Sequence, residues 1–160
     1  MKPREENIVA CSDTDESKAI TANSLSQILP EFLSLTEAQL QQISPTALAY
    51  LGDAVYELYI RSRYLLPPKR SQAYHRLVVE QVRAETQALH LRSLTPHLNS
   101  TELEIIRRGR NATTKHPKRV QPEIYQQATS LETLIGYLYL TDCQRLYHLL
   151  QQLPLETTPE

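Results

Sequence analysis

Ser44-Pro45-Thr46-Ala47-Leu48-Ala49-Tyr50-Leu51-Gly52-Asp53-Ala54-Val55-Tyr56-Glu57-Leu58 is the stretch on which the fold turns. Serine followed by proline suits a helix start: the hydroxyl accepts an otherwise orphan amide, and proline lacks an amide that would itself be orphaned. Leu48, Leu51, Val55 and Leu58 then recur at intervals of three, four and three, the spacing of one helical face. The pattern predicts a helix over 45–66, of about five turns, ending near Pro67-Pro68. A second stretch, Leu131-Glu132-Thr133-Leu134-Ile135-Gly136-Tyr137-Leu138-Tyr139-Leu140, puts Leu131, Leu134, Ile135 and Leu138 on one stripe of a helix over 123–140.

Two of the chain's three glycines, Gly52 and Gly136, lie inside these helices, where each costs roughly 1 kcal/mol relative to alanine. Close approach of two backbones is the usual compensation, so the two helices are expected to cross at the glycines. Asp53 follows Gly52, Glu57 is one turn further on, and Glu132 is one turn before Gly136. A glycine crossing therefore brings Asp53 and Glu132 face to face. Carboxylates about 4 Å apart at an effective dielectric near 20 repel by roughly 4 kcal/mol, which a proton or a cation must relieve. Mg²⁺ suits such a pair because it commonly takes one or two protein carboxylates and completes its shell with water and phosphate oxygens. Glu57 and Arg61, at i and i+4, are spaced to pair with each other.

Working outward, residues 1–24 are acidic and aperiodic and read as a mobile extension. Residues 25–153 read as the domain and 154–160 as a flexible tail. Leu25, Ile28, Leu29, Phe32, Leu33 and Leu35 lead to a short helix capped by Thr36, with Gln39 in the capping-box position. Further helices are expected over 71–94, over Thr101 to about Arg108, and over 142–153, with an irregular stretch from 109 to Pro122. No strand of comparable strength occurs, so the fold class is all-α.

The 160-residue length fits one domain. No apolar run approaches the roughly 18 residues of a membrane span and the N-terminus lacks a signal-peptide core, so a cytoplasmic protein is expected. Cys11 and Cys143 and the five histidines show no metal-ligand spacing. Net charge is −1, but 14 basic and 11 acidic side chains fall within 25–153. Residues 58–79 and 107–119 contain no acids; the latter hold Arg107, Arg108, Arg110, Lys115, Lys118 and Arg119. Such clusters are candidate phosphate footprints, the alternative being a solvated helix face plus a basic loop.

Ala47 to Glu57 resembles the signature helix of the ribonuclease III family, Leu131 to Leu140 its second metal-binding helix, and Arg107-Arg108-Gly109-Arg110-Asn111-Ala112 the RGRNA stretch of its short, single-domain branch. The three matches occur in the family's order and span about residues 40–150. The resemblance implies a homodimeric, Mg²⁺-dependent endoribonuclease that cleaves double-stranded RNA, leaving 5′-phosphate and 3′-hydroxyl ends, with precursor ribosomal RNA (23S) as its substrate. It implies Asp53 and Glu132 as catalytic and metal-binding residues. Larger relatives carry further carboxylates where this chain has Ala49 and Thr129, and a double-stranded RNA-binding domain for which no room is expected here. RNA contacts are expected from Arg108, Arg110, Asn111, Lys115, Lys118 and Arg119, with Gly109 and Pro117 in a loop that follows the A-form backbone. Glu57 is an outer candidate for a second ion. Tyr50, Tyr56, Tyr137 and Tyr139 read as core or dimer-interface residues rather than base-stacking platforms. Two other readings remain: a ribonuclease III-like module that binds structured RNA in ribosome assembly without cutting it, and a helical phosphohydrolase acting on nucleotides.

Overall fold

The computed structural model describes residues 35–113 and 118–155. The expectations for residues 1–34, for Lys115 and Pro117, and for residues 156–160 lie outside them. Among the described residues there are helices and no strand: α1 (Glu37–Gln42), α2 (Pro45–Tyr64), α3 (Ser71–Val82), α4 (Ala84–Leu94), α5 (Ser100–Ala112), α6 (Pro122–Thr141) and α7 (Cys143–Leu150), with a 3₁₀ turn at Thr95–His97. No helix among them is long and apolar enough to cross a membrane.

The helix starts follow local chemistry. Thr36 and Gln39 form the expected capping box, and Ser44 Oγ accepts from the Ala47 amide at 3.1 Å ahead of Pro45. Asn99 and Glu102 make a second capping box, placing the start of α5 at Ser100. Asp142 accepts from the Arg145 amide and separates α6 from α7.

Helix α6 is the hub, packing against α2, α4, α5 and α7. Its stripe of Leu131, Leu134, Ile135 and Leu138 is buried as its periodicity requires. In α2 the buried face is Leu48, Ala49, Gly52, Tyr56, Ile60 and Tyr64, rotated from the leucine–valine stripe: Leu58 is 54% exposed. Tyr56 is fully buried and Tyr137 and Tyr139 pack on the core, whereas Tyr50 is 85% exposed.

Two expected elements differ. The helix over 71–94 is two helices, because Arg83 is extended (φ −69°, ψ 151°). The carbonyls freed there are taken by side chains. Thr86 Oγ1 donates to Glu80 O at 2.6 Å, Tyr56 Oη to Gln81 O at 3.0 Å and Gln87 Nε2 to Val82 O at 3.0 Å. Second, Gly109 is not in a loop: α5 runs through it to Ala112, so Arg108, Arg110 and Asn111 are helical. A Cβ on Gly109 would lie 2.5 Å from Thr133 Oγ1 and 3.2 Å from Ser130 Cα, so the missing side chain is what seats α5 on α6.

Candidate active site

The crossing of α2 and α6 has the closeness that the glycines imply. A Cβ on Gly52 would overlap the Glu132 carbonyl, and one on Gly136 would overlap the Leu48 carbonyl. No side chain larger than hydrogen fits at either position without moving backbone. The chain therefore brings together Asp53, on the exposed side of α2, and Glu132, half-buried on α6.

The electrostatics match that juxtaposition. Burial, and then the negative charge of Asp53, push the Glu132 carboxyl up to about 7. Asp53 is raised as well, by burial first and by Glu57 second. The polar Gln87 side chain works the other way on Glu132 and favours its charged form. Two neighbouring carboxyls raised by burial and by nearby acids mark a candidate functional site.

Glu57 does not complete a triad of acids. Arg61 Nη2 and Nε donate to its Oε1 at 2.6 and 3.1 Å, the i,i+4 pair anticipated from their spacing. Among the described residues no group of three His, Cys, Asp or Glu could hold a metal. Ala49 is buried and Thr129 half-buried where larger relatives carry acids. The donor set is thus the two carboxylates of Asp53 and Glu132. Hard oxygen donors in that number fit Mg²⁺, which keeps several waters when bound to protein.

The basic residues fall into two groups. Gly109 sits against Ser130 and Thr133, which bracket Glu132 in sequence, so α5 runs beside the carboxylate helix. Arg110 and Asn111 are exposed on it, and Lys118 and Arg119 are exposed in the turn before α6. Arg107 is engaged by Glu104 at 2.6 Å. Arg108 is half-buried and lines a cavity of about 430 Å³ with Glu37, Gln41, Glu104 and Tyr137, a cavity that neither Asp53 nor Glu132 lines.

Three polar side chains near the site escaped the sequence reading: Gln81, Gln87 and His90, all buried. Because a carbonyl only accepts, Tyr56 Oη donates to Gln81 O, and His90 Nδ1–H donates to the tyrosine oxygen at 2.7 Å. Burial lowers His90 to about 4, which leaves the ring neutral near pH 7. Polar residues inside an amphipathic helix were the available signal, but periodicity alone gives no means of telling a buried glutamine from a solvated one.

A strand-free helical domain with two acids meeting at a double-glycine crossing defines a ribonuclease III-type endonuclease domain, and the Ribonuclease III domain family matches residues 46–142. The chain is 60% identical over 121 residues to Mini-ribonuclease 3 of Synechococcus sp., covering 76% of this chain and 88% of that protein. It is 57% identical over 115 residues to Mini-ribonuclease 3 of Synechocystis sp., covering 72% and 80% respectively. A crystal structure of a Fusobacterium nucleatum protein superposes with a TM-score of 0.61 at 30% identity, covering 67% of this chain and 91% of that one. The chain belongs to the ribonuclease III family, in its Mini-ribonuclease 3 branch, and is an endoribonuclease.

Proposed function

We propose that the chain is a cytoplasmic, homodimeric, Mg²⁺-dependent nuclease that cuts both strands of double-stranded RNA, with Asp53 and Glu132 as its catalytic and metal-binding residues. The natural substrate in this reading is precursor ribosomal RNA, the 23S precursor in particular. The observation that carries it is the pairing of Asp53 and Glu132 at a crossing too tight for any side chain larger than hydrogen. Two facing carboxylates with no base between them are poorly stable as a pair of anions unless a cation joins them.

When bound, Mg²⁺ supplies charge stabilisation at the scissile phosphate and an activated water, so that products carry 5′-phosphate and 3′-hydroxyl ends. Asp53 and Glu132 would hold the ion through their carboxylate oxygens. Glu57, tied to Arg61, stays outside the pair. The residues that grip RNA are Arg108, Arg110, Asn111, Lys115, Lys118 and Arg119. Phosphates and 2′-hydroxyls are what A-form RNA presents across its shallow groove, and the exposed groups of Arg110, Asn111, Lys118 and Arg119 suit both. Tyr50 and Leu58, both exposed, share the outer face of α2 with Ala54. That apolar stripe beside Asp53 supports a dimer contact that sets two sites against one duplex. Residues 25–153 carry this activity, with 1–24 and 154–160 as extensions.

The test is a defined duplex RNA labelled on each strand, incubated with full-length protein in Mg²⁺ and in chelator. Cleavage of both strands, with 5′-phosphate ends and only in Mg²⁺, is the expected result. Undiminished cleavage in chelator contradicts the metal reading, and cleavage of one strand alone contradicts the paired sites.

A further inference from the structure

Helix α1 is six residues long and buries none of them, although helices shorter than about 12–15 residues are marginal in water unless something packs on them. Its capping box satisfies the first amides but removes no apolar surface from solvent. Between α1 and α5 lies the open cavity of about 430 Å³ that Arg108 helps to line. Helix α1 contributes Leu40 and Gln41 to it, and α5 contributes Thr101, Ile105 and Arg108 from one helical face. The floor is apolar: Leu48 and Ile105 are buried there and Tyr137 is half-buried. The groove is thus separate from the acid pair, neither of whose members lines it.

The sequence just ahead of α1 matches that groove. Leu25, Ile28, Leu29, Phe32 and Leu33 recur at the intervals of an apolar stripe, and five large apolar side chains left in water make a patch that calls for a partner. Leu33 is four residues before Glu37, which also lines the groove. Four residues span at most about 14 Å. A segment on so short a tether meets the groove at an effective concentration of millimolar or more, which favours it over any partner arriving from solution. Charge agrees as well: Glu31 is the one charged residue between 25 and 35, opposite in sign to Arg108, while Glu104 is already engaged by Arg107.

We propose that this groove is the docking site of the chain's own residues 25–33, whose apolar side chains cover Leu48, Ile105 and Tyr137 and hold α1 against α5. The folded unit then begins at Leu25 rather than at α1. The docked segment is the joint through which the acidic residues 1–24 are attached to the domain. None of this depends on which groups hold a metal.

Phe32 is the chain's one phenylalanine, so full-length protein grown with 4-fluorophenylalanine carries a single fluorine reporter in the segment. Fluorine NMR reads its chemical shift, and its solvent isotope shift between H₂O and D₂O, in the native protein and in urea. The expected result is a native resonance displaced from the urea position, with a solvent isotope shift at least about threefold smaller and unchanged on dilution. Thr101→Lys and Gln41→Lys, at exposed groove positions, should each return that resonance to full solvent exposure while thermal unfolding stays cooperative. A native resonance with the isotope shift of the urea state overturns the proposal. Protection that persists in both folded lysine variants also overturns it, by placing the segment elsewhere. Protection lost on dilution overturns the occupant and assigns the groove to a second copy of the chain. Should the lysine variants fail to fold, Leu29→Gln decides: Phe32 must gain solvent exposure in it, and a Phe32 protected as in wild type rejects docking.

Discussion

Asp53 and Glu132 are both raised by burial and by a neighbouring acid, whereas Glu57, Glu102 and Glu104 are each paired with an arginine. Asp53→Asn keeps the side-chain shape and removes an ionic ligand, so cleavage is expected to fall at least about a hundredfold while melting temperature and duplex binding persist; single-turnover assays on an end-labelled duplex measure it. Glu132→Gln should match it. Glu57→Gln should lose far less, because Glu57 already serves Arg61. His90 provides a pH dependence away from the metal site. It is buried, donates through Nδ1 to Tyr56 and is lowered to about 4, whereas the unfolded chain binds that proton near 6.5. Between those values the unfolded state holds more protons, so stability falls as pH falls, by on the order of 3 kcal/mol from this group. Thermal melts from pH 7 to pH 4.5 should show the decline, and His90→Asn should flatten it. An equal slope in the variant would assign the loss to other groups.

At the level of elements, the glycines decide how helices approach. Gly52→Ala and Gly136→Ala each drive a Cβ into a carbonyl of the facing helix, and rigid backbone on both sides leaves little room to relax. Losses above about 3 kcal/mol, or failure to fold, are expected in denaturant titrations. Gly109→Ala meets mainly the Thr133 side chain and should cost less, about 1–3 kcal/mol. Equal losses at all three positions would show that the α5–α6 contact is as unforgiving as the central crossing. A half-buried ion pair ties the two short connections together. Arg145 donates to Glu102 at 2.7 Å and to His97 O at 2.7 Å, and Glu102 also caps α5. The Arg145 hydrogen bond, more than the opposing effect of burial, holds the Glu102 carboxyl below its ordinary value. Its contribution is present above the unfolded carboxyl range and is lost as pH falls through the folded value. Glu102→Gln should therefore cost about 1–3 kcal/mol at pH 7, and less at pH 3.

For the whole molecule, the question is how one small domain grips a duplex. Pairing through the Tyr50–Leu58 face, as proposed, would double the basic surface, and each phosphate neutralised by Lys or Arg releases counterions. Binding should weaken steeply with salt. Arg110→Ala with Arg119→Ala, both exposed, should weaken binding across duplex sequences and flatten the log–log salt slope by up to about 2 per protomer. Filter binding at several salt concentrations measures this. Arg108→Ala should act less through phosphate, since Arg108 is half-buried against Glu104 and Tyr137. Tyr50→Asp should yield monomers by sedimentation and lose two-strand cleavage, with the monomer still folded. A dimer that survives it would move the interface elsewhere.

Local chemistry was enough to read the helix starts at Thr36 and Ser44, the buried stripe of α6 and the pairing of Asp53 with Glu132. Caps and glycine costs act within a turn or two of chain, and an interior glycine in an apolar helix has few explanations other than close contact. The break at Arg83 left no such mark: it carries neither proline nor glycine, and it exists because Tyr56, Thr86 and Gln87 satisfy the carbonyls it frees. The helical state of Gly109 was equally hidden, because its cost is offset by Ser130 and Thr133, some two dozen residues away in sequence. The burial of Gln87 and His90 beside the acids was settled by tertiary packing alone. Periodicity reports which face is apolar, whereas a polar side chain on the inner face is stable only once distant groups have come together to bond it.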